Sequence, residues 1–549
     1  MKKYSILILL VIFSLTSKAQ RSKTDGEGPY LATSPGLVVG IVVDQMRYDY
    51  LYRFWNKFSN DGFKRLVNDG FVFSNANFNY VPTYTAPGHA CIYTGTTPSN
   101  NGIISNDWYS PSLRKTVYCV GDSTVMPLGT TSISGKMSPR NLVTTTVTDE
   151  LKLATNMTSK VIGISLKDRG AILPAGHSAN AAYWHDPYTN NWVTSTYYMK
   201  ELPTWVSDFN KRKMSDSLLN YKWTTLLPID QYTESTADDN AYEGLFEGEL
   251  KPIFPHDLPA LKAKESELIR STPFGNTFTN EFAMQAIRRE NMGKGKATDF
   301  LAISFSSTDY VGHMYGTNAI ELEDTYLRLD RDIAALLNFL DKWTGNNYLL
   351  FLTADHGAAN NPKFATDLNL NAGKFESGAL VDTLKKYIKE TYESDSLILN
   401  ASAHNIYLNR AYIESKKINL EEVQNKCATF VTKLKGVSVA LTASELARGL
   451  NRTGIYSLMQ NGFNVKRSAD VMIQLQPGWV DWYLKTGTSH GTGYSYDTHV
   501  PLIFFGKRIK AGSFAEPVTI CDIAPTISTL LNIEFPNGNS GVSLSPLFK

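Results

Sequence analysis

The sequence predicts an α/β fold with a mainly parallel central sheet, helices on both faces and inserted cap segments. Apolar runs of strand length recur along the 549 residues, at 37–43, 160–166, 300–305, 348–352 and 500–505. Segments with helical spacing lie between several of them, and strand–helix–strand alternation is typical of parallel sheets. Acidic or imidazole side chains stand beside the ends of these runs, where open α/β sheets bind ligands.

The helical segments follow from their periodicity and their boundaries. Apolar residues at helical spacing predict helices, and a glycine near position 62 interrupts the first of them. The predicted helices cover 53–68, 280–291, 321–343, 420–434, 443–449 and 523–531. The stretch 171–270 has weak periodicity, and we expect an insertion over the active-site face. The stretch 357–489 is expected to be a second insertion or a smaller α+β lobe, and both belong to one catalytic domain over 20–549.

The composition limits the classes of protein that the chain can be. Charged residues make up 19% and aromatic residues 12%, which is typical of a globular protein. A net charge of +2 does not suit a protein that binds nucleic acids. We therefore expect small-molecule substrates, and we expect the protein to be a monomer.

The first 19 residues have the features of a signal peptide. Lys2 and Lys3 precede an apolar core at 5–15, and small residues end with Ala19 at the expected cleavage point. A membrane anchor is the alternative, but a spanning helix needs about 20 apolar residues. We therefore expect a periplasmic or secreted protein that does not span a membrane.

Six side chains of the types that bind metals lie in four separated segments beside the strands. They are Asp44, Asp309, His313, Asp355, His356 and His490. Asp309 and His313 are one helical turn apart, which places them on one face. Asp355 and His356 directly follow an apolar strand, where two ionisable groups are costly unless they are used.

Each of these segments also has an ordinary interpretation as a capping Asp, a surface His or a flexible turn. All of those interpretations would have to hold independently, so the combination favours a metal site. Three Asp and three His can supply two open zinc sites, and such sites are typical of hydrolases. Manganese or cobalt would be compatible with the same ligands.

Four further residues are candidates for binding and transforming an anion. Thr85 lies at a predicted helix N-terminus, where anions are stabilised, although a threonine there can simply be an N-cap. Asn106 can be a turn residue or a donor to a substrate oxygen. Lys167 and Arg169 follow a predicted strand and can be solvated charges or phosphate ligands.

The four cysteines, Cys91, Cys119, Cys427 and Cys521, have no spacing typical of a zinc site. An oxidising compartment permits disulfides, and four cysteines allow three pairings. We expect a structural rather than a catalytic role, with the pairing left open.

Together these motifs resemble the alkaline phosphatase superfamily. The segments that carry the resemblance are Asp44, 85–89, 102–106, 308–313, 353–357 and 489–491. A threonine followed by the downstream Asn106 is similar to the nucleotide pyrophosphatase/phosphodiesterase branch. The segment 167–169 and the loop 487–501 are more similar to the phosphate-irrepressible alkaline phosphatases of flavobacteria.

The resemblance implies an exported hydrolase of phosphate monoesters with two Zn²⁺ ions and a phospho-threonine intermediate. It assigns Asp309, His313 and His490 to one zinc, and Asp44, Asp355 and His356 to the other. It also makes Thr85 the nucleophile, and a ligand of the second zinc. By the same resemblance, Asn106, Lys167 and Arg169 bind the phosphoryl oxygens. A phosphodiesterase that uses the same metals is the alternative function, and a binding protein with purely structural metals is a third.

Overall fold

The computed structural model describes residues 34–402, 404–449, 453–481 and 485–548, so the predicted signal peptide lies outside the described residues. The first strands are β1 (Leu37–Val43), β2 (Phe71–Asn77), β3 (Asp107–Ser110), β4 (Lys115–Tyr118), β5 (Pro127–Leu128), β6 (Val161–Ser165), β7 (Ala181–Asp186), β8 (Asn191–Ser195), β9 (Asp299–Phe305) and β10 (Tyr348–Thr353). The remaining strands are β11 (Gly373–Phe375), β12 (Ile398–Ala401), β13 (Asn405–Leu408), β14 (Val437–Thr442), β15 (Val471–Leu475), β16 (Trp479–Asp481), β17 (His499–Gly506), β18 (Gly512–Phe514) and β19 (Val518–Thr519).

The α-helices fill the connections between these strands. In the first half they are α1 (Tyr50–Arg53), α2 (Phe63–Asp69), α3 (Thr85–Thr94), α4 (Pro98–Asn101), α5 (Val147–Ala154), α6 (Asp168–Ala175), α7 (Thr204–Lys211), α8 (Met214–Leu218), α9 (Leu258–Leu261) and α10 (Phe274–Arg289). In the second half they are α11 (Ser307–Tyr315), α12 (Ile320–Thr344), α13 (Pro362–Asp367), α14 (Ser377–Tyr392), α15 (Arg410–Ser415), α16 (Leu420–Val431), α17 (Ala443–Ala447), α18 (Ile455–Gly462), α19 (Ser495–Thr498) and α20 (Ile523–Leu531).

An 11-stranded sheet forms the centre of the molecule, and it confirms the predicted fold class. Its order is β18-β2-β17-β10-β1-β9-β6-β7-β8-β5, with β19 paired to β2. The five strands from β10 to β7 are parallel, while β17 and β8 pair antiparallel at either side. Every residue of β1, β6, β9 and β10 is buried, as expected of parallel strands covered on both faces.

The sequence predicted most elements with small errors at their ends. The helix expected at 280–291 spans Phe274–Arg289, because the chain already turns into the helix after Pro273. The helix expected at 53–68 is divided, and α2 begins directly after Gly62. Strand β2 is continuous to Asn77 because β17 pairs along it and β19 pairs with its last residues.

The stretches 171–270 and 357–489 differ from each other in structure. Within 171–270, strands β7 and β8 continue the central sheet. Within 357–489, β12, β13, β15 and β14 form a separate four-stranded sheet with its own buried cluster, which includes Leu384, Val423 and Ile473. None of the helices among the described residues combines the length and the apolar character needed to cross a bilayer.

Candidate metal centre and active site

Parallel register brings three of the four ligand segments to one edge of the sheet. In β1, Val43 lies beside Phe305 of β9, and Val42 lies beside Thr353 of β10. The backbone N–H of Asp44 donates to the carbonyl of Phe305 over 3.0 Å. The three strands therefore end at the same level, and the residues that follow them meet at the carboxyl edge.

The fourth segment reaches the same edge because its strand runs the other way. β17 is antiparallel to β10, so the loop that precedes it lies where the parallel strands end. Asp497 fixes this loop: its Oδ2 accepts from the N–H groups of Gly491 (3.1 Å) and Thr492 (2.7 Å). His490 is thus held beside ligands that come from the other end of the sequence.

Helix α11 carries the pair that the one-turn spacing predicted. Asp309 and His313 lie on one face, with Nε2 of His313 at 3.2 Å from Oδ1 of Asp309. Both side chains are close to His490, whose Nε2 is 3.6 Å from the same Asp309 oxygen and whose ring centroid is 5.2 Å from that of His313.

Backbone carbonyls orient all three imidazoles in the same way. Each ring contacts a carbonyl oxygen through Nδ1: His356 with Gly357 (2.9 Å), His313 with Thr488 (2.8 Å) and His490 with Thr83 (2.8 Å). An Nδ1–H that donates to a carbonyl leaves Nε2 as the lone-pair nitrogen, as in most metal-binding histidines. Burial also lowers the pKa of His490 to about 3 and holds that of His356 well below its usual range, so both rings are neutral.

The ligand atoms form two groups that share one residue. Asp44, Asp355 and His356 form one group, and Asp309, His356 and His490 form the other, each with its ligand atoms within 4.8 Å of one another. The rings of His356 and His490 are stacked, with centroids 3.5 Å apart. The first group matches the set predicted from the sequence, whereas in the second His356 takes the position expected of His313.

The donor atoms fit divalent cations. Oδ1 of Asp44 and Oδ2 of Asp355 are buried without a hydrogen-bond partner in the structure, which is costly for a carboxylate. Carboxylate oxygens and imidazole nitrogens together are typical zinc ligands. These residues are therefore candidate metal ligands on their own chemistry.

Burial and one lysine dominate the electrostatics of the carboxylates. Burial raises the pKa of Asp44 to about 6, although the Lys167 ammonium opposes it, and burial raises that of Asp355 well above its usual range. Burial also opposes ionisation of Asp309, but the charges of His313 and Lys167 outweigh it and hold its pKa well below normal. Burial opposes the charge of Lys167, but Asp309 and Asp44 outweigh it and raise the pKa of the ammonium above its usual value, so Lys167 keeps its charge.

Thr85 is the first residue of α3 rather than its N-cap. Tyr84 occupies the N-cap position, and no side chain caps the helix there. The Thr85 hydroxyl instead faces the ligands, with Oγ1 at 3.5 Å from Nε2 of His356 and 3.4 Å from Nζ of Lys167. The ordinary interpretation of Thr85 as a cap is therefore wrong, because the hydroxyl points into the site.

The other two predicted anion ligands, Asn106 and Arg169, are each held by a hydrogen bond. Oδ1 of Asn106 accepts from the N–H of Ala86 in the first turn of α3 (2.9 Å), which leaves its amide donor available. The Arg169 guanidinium donates to the hydroxyl of Tyr118 over 3.2 Å. Burial raises the pKa of Asp44, and the charge of Arg169, together with the stronger effect of Lys167, opposes that rise.

Gln45, which no pattern in the sequence singled out, connects Asp309 with Asp355. Its side chain donates to Oδ1 of Asp309 (2.7 Å) and its backbone N–H donates to Oδ1 of Asp355 (3.1 Å). It adopts a left-handed conformation with φ of 65°, which is uncommon for a residue other than glycine. A side chain at Gly312 would lie 2.0 Å from Oε1 of Gln45, so that glycine makes room for it. Only its position next to Asp44 could have identified it.

His89 contacts Thr85 and lies beside Asp355. Its Nδ1 contacts the carbonyl of Thr85 (2.8 Å) and lies 3.4 Å from Oδ2 of Asp355, while Nε2 contacts Oγ of Ser304 (2.9 Å). These contacts give His89 a structural role beside the site. The one-turn spacing between Thr85 and His89 is the signal that could have connected His89 with the site.

Comparisons with known proteins agree with this geometry. The sequence model of the type I phosphodiesterase / nucleotide pyrophosphatase family matches residues 38–495. A protein of Myroides odoratus named calcium-transporting ATPase is 48% identical over 515 residues, 93% of this chain and 94% of its own. Alkaline phosphatase PafA of Elizabethkingia meningoseptica is 48% identical over 514 residues, 92% of this chain and 93% of its own.

The crystal structure of wild-type alkaline phosphatase PafA has a TM-score of 0.91 and 47% identity, and the match covers 93% of this chain and 98% of that one. The chain therefore belongs to the type I phosphodiesterase / nucleotide pyrophosphatase family of the alkaline phosphatase superfamily. Within it, the chain is a close homologue of PafA, which confirms the resemblance found in the sequence.

Proposed function

We propose that this protein is an alkaline phosphatase that hydrolyses phosphate monoesters through a phospho-threonine intermediate at a two-zinc site. One observation carries the proposal. The buried ammonium of Lys167 lies within 2.7 Å of Asp44 and 2.5 Å of Asp309, and 3.4 Å from the Thr85 hydroxyl. A fixed cation beside a hydroxyl and two sets of metal ligands suits a substrate with a doubly charged phosphoryl group.

Two groups of side chains would hold the metals. Asp44, Asp355 and His356 would hold one zinc together with the Thr85 oxygen, and Asp309, His313 and His490 would hold the other. His356 belongs to both groups of ligand atoms, which supports two ions close enough together to act on one phosphoryl group. When bound, the two ions would act as Lewis acids that favour ionised oxygen nucleophiles and stabilise charge on the leaving oxygen.

The chain itself would perform covalent catalysis. Oγ1 of Thr85 attacks phosphorus, and the bond to the ester oxygen breaks as the leaving alcohol takes up a proton. Water then attacks the phospho-threonine, which releases inorganic phosphate and restores the hydroxyl. The position of Thr85 at the start of α3 supports this role, because the helix N-terminus favours negative charge.

Three side chains would bind the oxygens of the phosphoryl group. Asn106 is anchored through its carbonyl oxygen to the first turn of α3, so its amide can donate to a substrate oxygen. Lys167 and Arg169 provide two positive charges that match the two charges of a monoester. Buried charge-assisted bonds of this kind contribute roughly 1.5–3 kcal/mol each.

A nucleotide pyrophosphatase or phosphodiesterase with the same metals is the second candidate, because the family model that matches the chain carries that name. A diester transfers a group with one negative charge, so a second cation adds little to the stabilisation of that group. Measuring kcat/KM for an aryl phosphate and the matched methyl aryl diester, with zinc content determined on the same sample, separates the two. We expect about two zinc ions and a clear preference for the monoester. A preference for the diester would reverse the order of the candidates.

We further propose that residues 171–270 and 357–489 are insertions that border the substrate site. Trp184 and Tyr188 line a cavity together with Lys167 and Arg169, and His404 packs against Tyr84 with ring centroids 6.0 Å apart.

The mature protein is proposed to be a periplasmic or secreted monomer that begins at Gln20. N-terminal sequencing of the exported protein and sedimentation equilibrium test these two points.

A further inference from the structure

Two of the four cysteines meet in the core. Cys91 lies in α3, the helix that begins with Thr85, and Cys521 lies in the 3₁₀ turn Ile520–Asp522 directly before α20. Their sulfur atoms are 3.0 Å apart, although the residues are 430 positions apart in the sequence. Both side chains are buried, at 0% and 1% exposure.

The sulfur atoms of Cys91 and Cys521 are closer together than two thiols that merely pack against each other. Sulfur atoms in a disulfide lie about 2.05 Å apart, so a shift of roughly 1 Å would allow a covalent bond. The other two cysteines are buried in different clusters, Cys119 near α6 and Cys427 in the four-stranded sheet region. Position therefore favours one bond, between Cys91 and Cys521, and none that involves Cys119 or Cys427.

We propose that Cys91 and Cys521 form a disulfide in the native protein, while Cys119 and Cys427 remain thiols. The two thiols lose two protons and two electrons as the S–S bond forms. The oxidant is a disulfide-bonded thiol oxidoreductase of an oxidising compartment, which is reduced to its dithiol. The bond forms before the core closes, because the folded chain leaves neither sulfur accessible.

The bond would join the helix of the proposed nucleophile to the C-terminal end of the chain. Contacts between α3 and the 3₁₀ turn already place these elements side by side. A covalent link across a very long loop restricts the unfolded chain strongly. The buried disulfide would therefore protect the position of α3 against heating, and reductants would reach it only after unfolding.

Counting thiols tests the pairing directly. The full-length chain is exported by a bacterial host, purified from the oxidising compartment, denatured in guanidinium chloride and treated with a thiol reagent. Of the four cysteines in the sequence, we expect two to react without reductant and all four after reduction. Peptide mapping should give one cross-linked peptide that contains Cys91 and Cys521. Four reactive thiols without reductant, or a cross-link through Cys119 or Cys427, would overturn the proposal.

Thermal unfolding provides a second test that does not depend on activity. Cys91→Ala, Cys521→Ala and the double variant should lower Tm by the same amount, because each removes the same bond. The matched control is the pair Cys119→Ala and Cys427→Ala, whose effects should add because the two residues lie in separate clusters. Additive losses for Cys91 and Cys521 would show that the sulfurs only pack together.

Discussion

The ammonium nitrogen of Lys167 lies 2.7 Å from Oδ2 of Asp44. The same nitrogen is 2.5 Å from Oδ2 of Asp309, a residue that we assign to the other zinc. One buried cation thus balances a carboxylate from each metal group, and it does so within reach of the proposed nucleophile. Its charge should therefore affect both the metals and the substrate.

The first prediction concerns this charge. Lys167→Ala combined with Arg169→Ala should narrow the preference for monoesters over diesters by at least about tenfold, that is ~1.4 kcal/mol. The dianionic substrate loses two favourable interactions, and the monoanionic one loses less. Steady-state kinetics on a matched substrate pair measure the ratio.

Lys152 offers a matched control for that experiment. It is a buried lysine whose ammonium is bound by the carbonyls of Met157 and Ser159, away from the metal ligands. Lys152→Ala should lower Tm and leave the ratio unchanged. If the double variant loses both activities by the same factor, Lys167 and Arg169 act structurally, and the phosphodiesterase becomes the better candidate.

The second prediction concerns Thr85. Thr85→Ala should keep the fold, because the hydroxyl does not cap α3, and it should abolish phosphorylation of the protein. Thr85→Ser should retain much of the activity. Acid quench with labelled substrate, followed by peptide mapping, should place phosphate on Thr85. Thr94→Ala is the control, since that buried hydroxyl lies at the other end of α3 and donates to the carbonyl of Ala90. Label on another residue would refute the assignment.

The third prediction concerns the metals. A chelator should abolish activity, and zinc should restore it. His490→Ala and Asp355→Ala should each lower zinc content and reduce kcat/KM by several orders of magnitude. His499→Ala removes a histidine whose Nε2 contacts the carbonyl of Ser74 and whose ring stacks on Tyr48, so it should retain zinc. Full activity in a rigorously metal-free sample would contradict the proposal.

The fourth prediction tests Gln45 as a positioning residue. Loss of its donor to Asp309 should weaken zinc binding about 10- to 100-fold, as is typical when a partner of a metal ligand is removed. Gln45→Ala keeps the strained left-handed backbone and Gln45→Gly relaxes it, so the two variants separate strain from hydrogen bonding. Equal losses of zinc affinity, measured by competition with a chromogenic chelator, would identify the side-chain donor. Recovery in the glycine variant alone would identify strain.

The fifth prediction follows from the pKa of Asp44, which burial raises to about 6. A proton competes with the metal for this carboxylate, so zinc affinity should increase with pH and should be lost as the pH falls through about 6. Asp355, whose pKa burial also raises, adds a second competing proton. The loss should approach about tenfold per pH unit for each proton displaced. Zinc titrations between pH 5 and 8 measure this slope. An affinity that stays constant down to pH 5 would show that Asp44 is not a ligand.

The sequence predicted those parts of the site that depend on local pattern. The one-turn spacing placed Asp309 and His313 on a common helix face, and the apolar runs placed Asp44 and Asp355 at strand ends. Because parallel strands end at the same edge of a sheet, the residues that follow them meet there, and no further sequence signal is needed to predict it. For the same reason the central sheet was predictable, whereas element ends shifted wherever tertiary pairing extended them.

The remaining features depend on long-range contacts that no local pattern specifies. Neither the stacking of His356 on His490 nor the bridge made by Gln45 leaves a trace in spacing. The pairing of Cys91 with Cys521 requires knowledge of which helix packs on the C-terminal turn. Antiparallel β17 was indistinguishable from a parallel strand in the sequence, because both are continuous apolar runs.

The direction of β17 has a consequence for the order in which the protein is made. His490 reaches the metal centre only after the chain has passed through nearly its whole length and the last large strand has inserted beside β10. A growing or truncated chain that lacks this strand holds an incomplete ligand set. With the ligand set that we propose, zinc binding and the hydrolytic activity that depends on it would therefore wait for the finished chain.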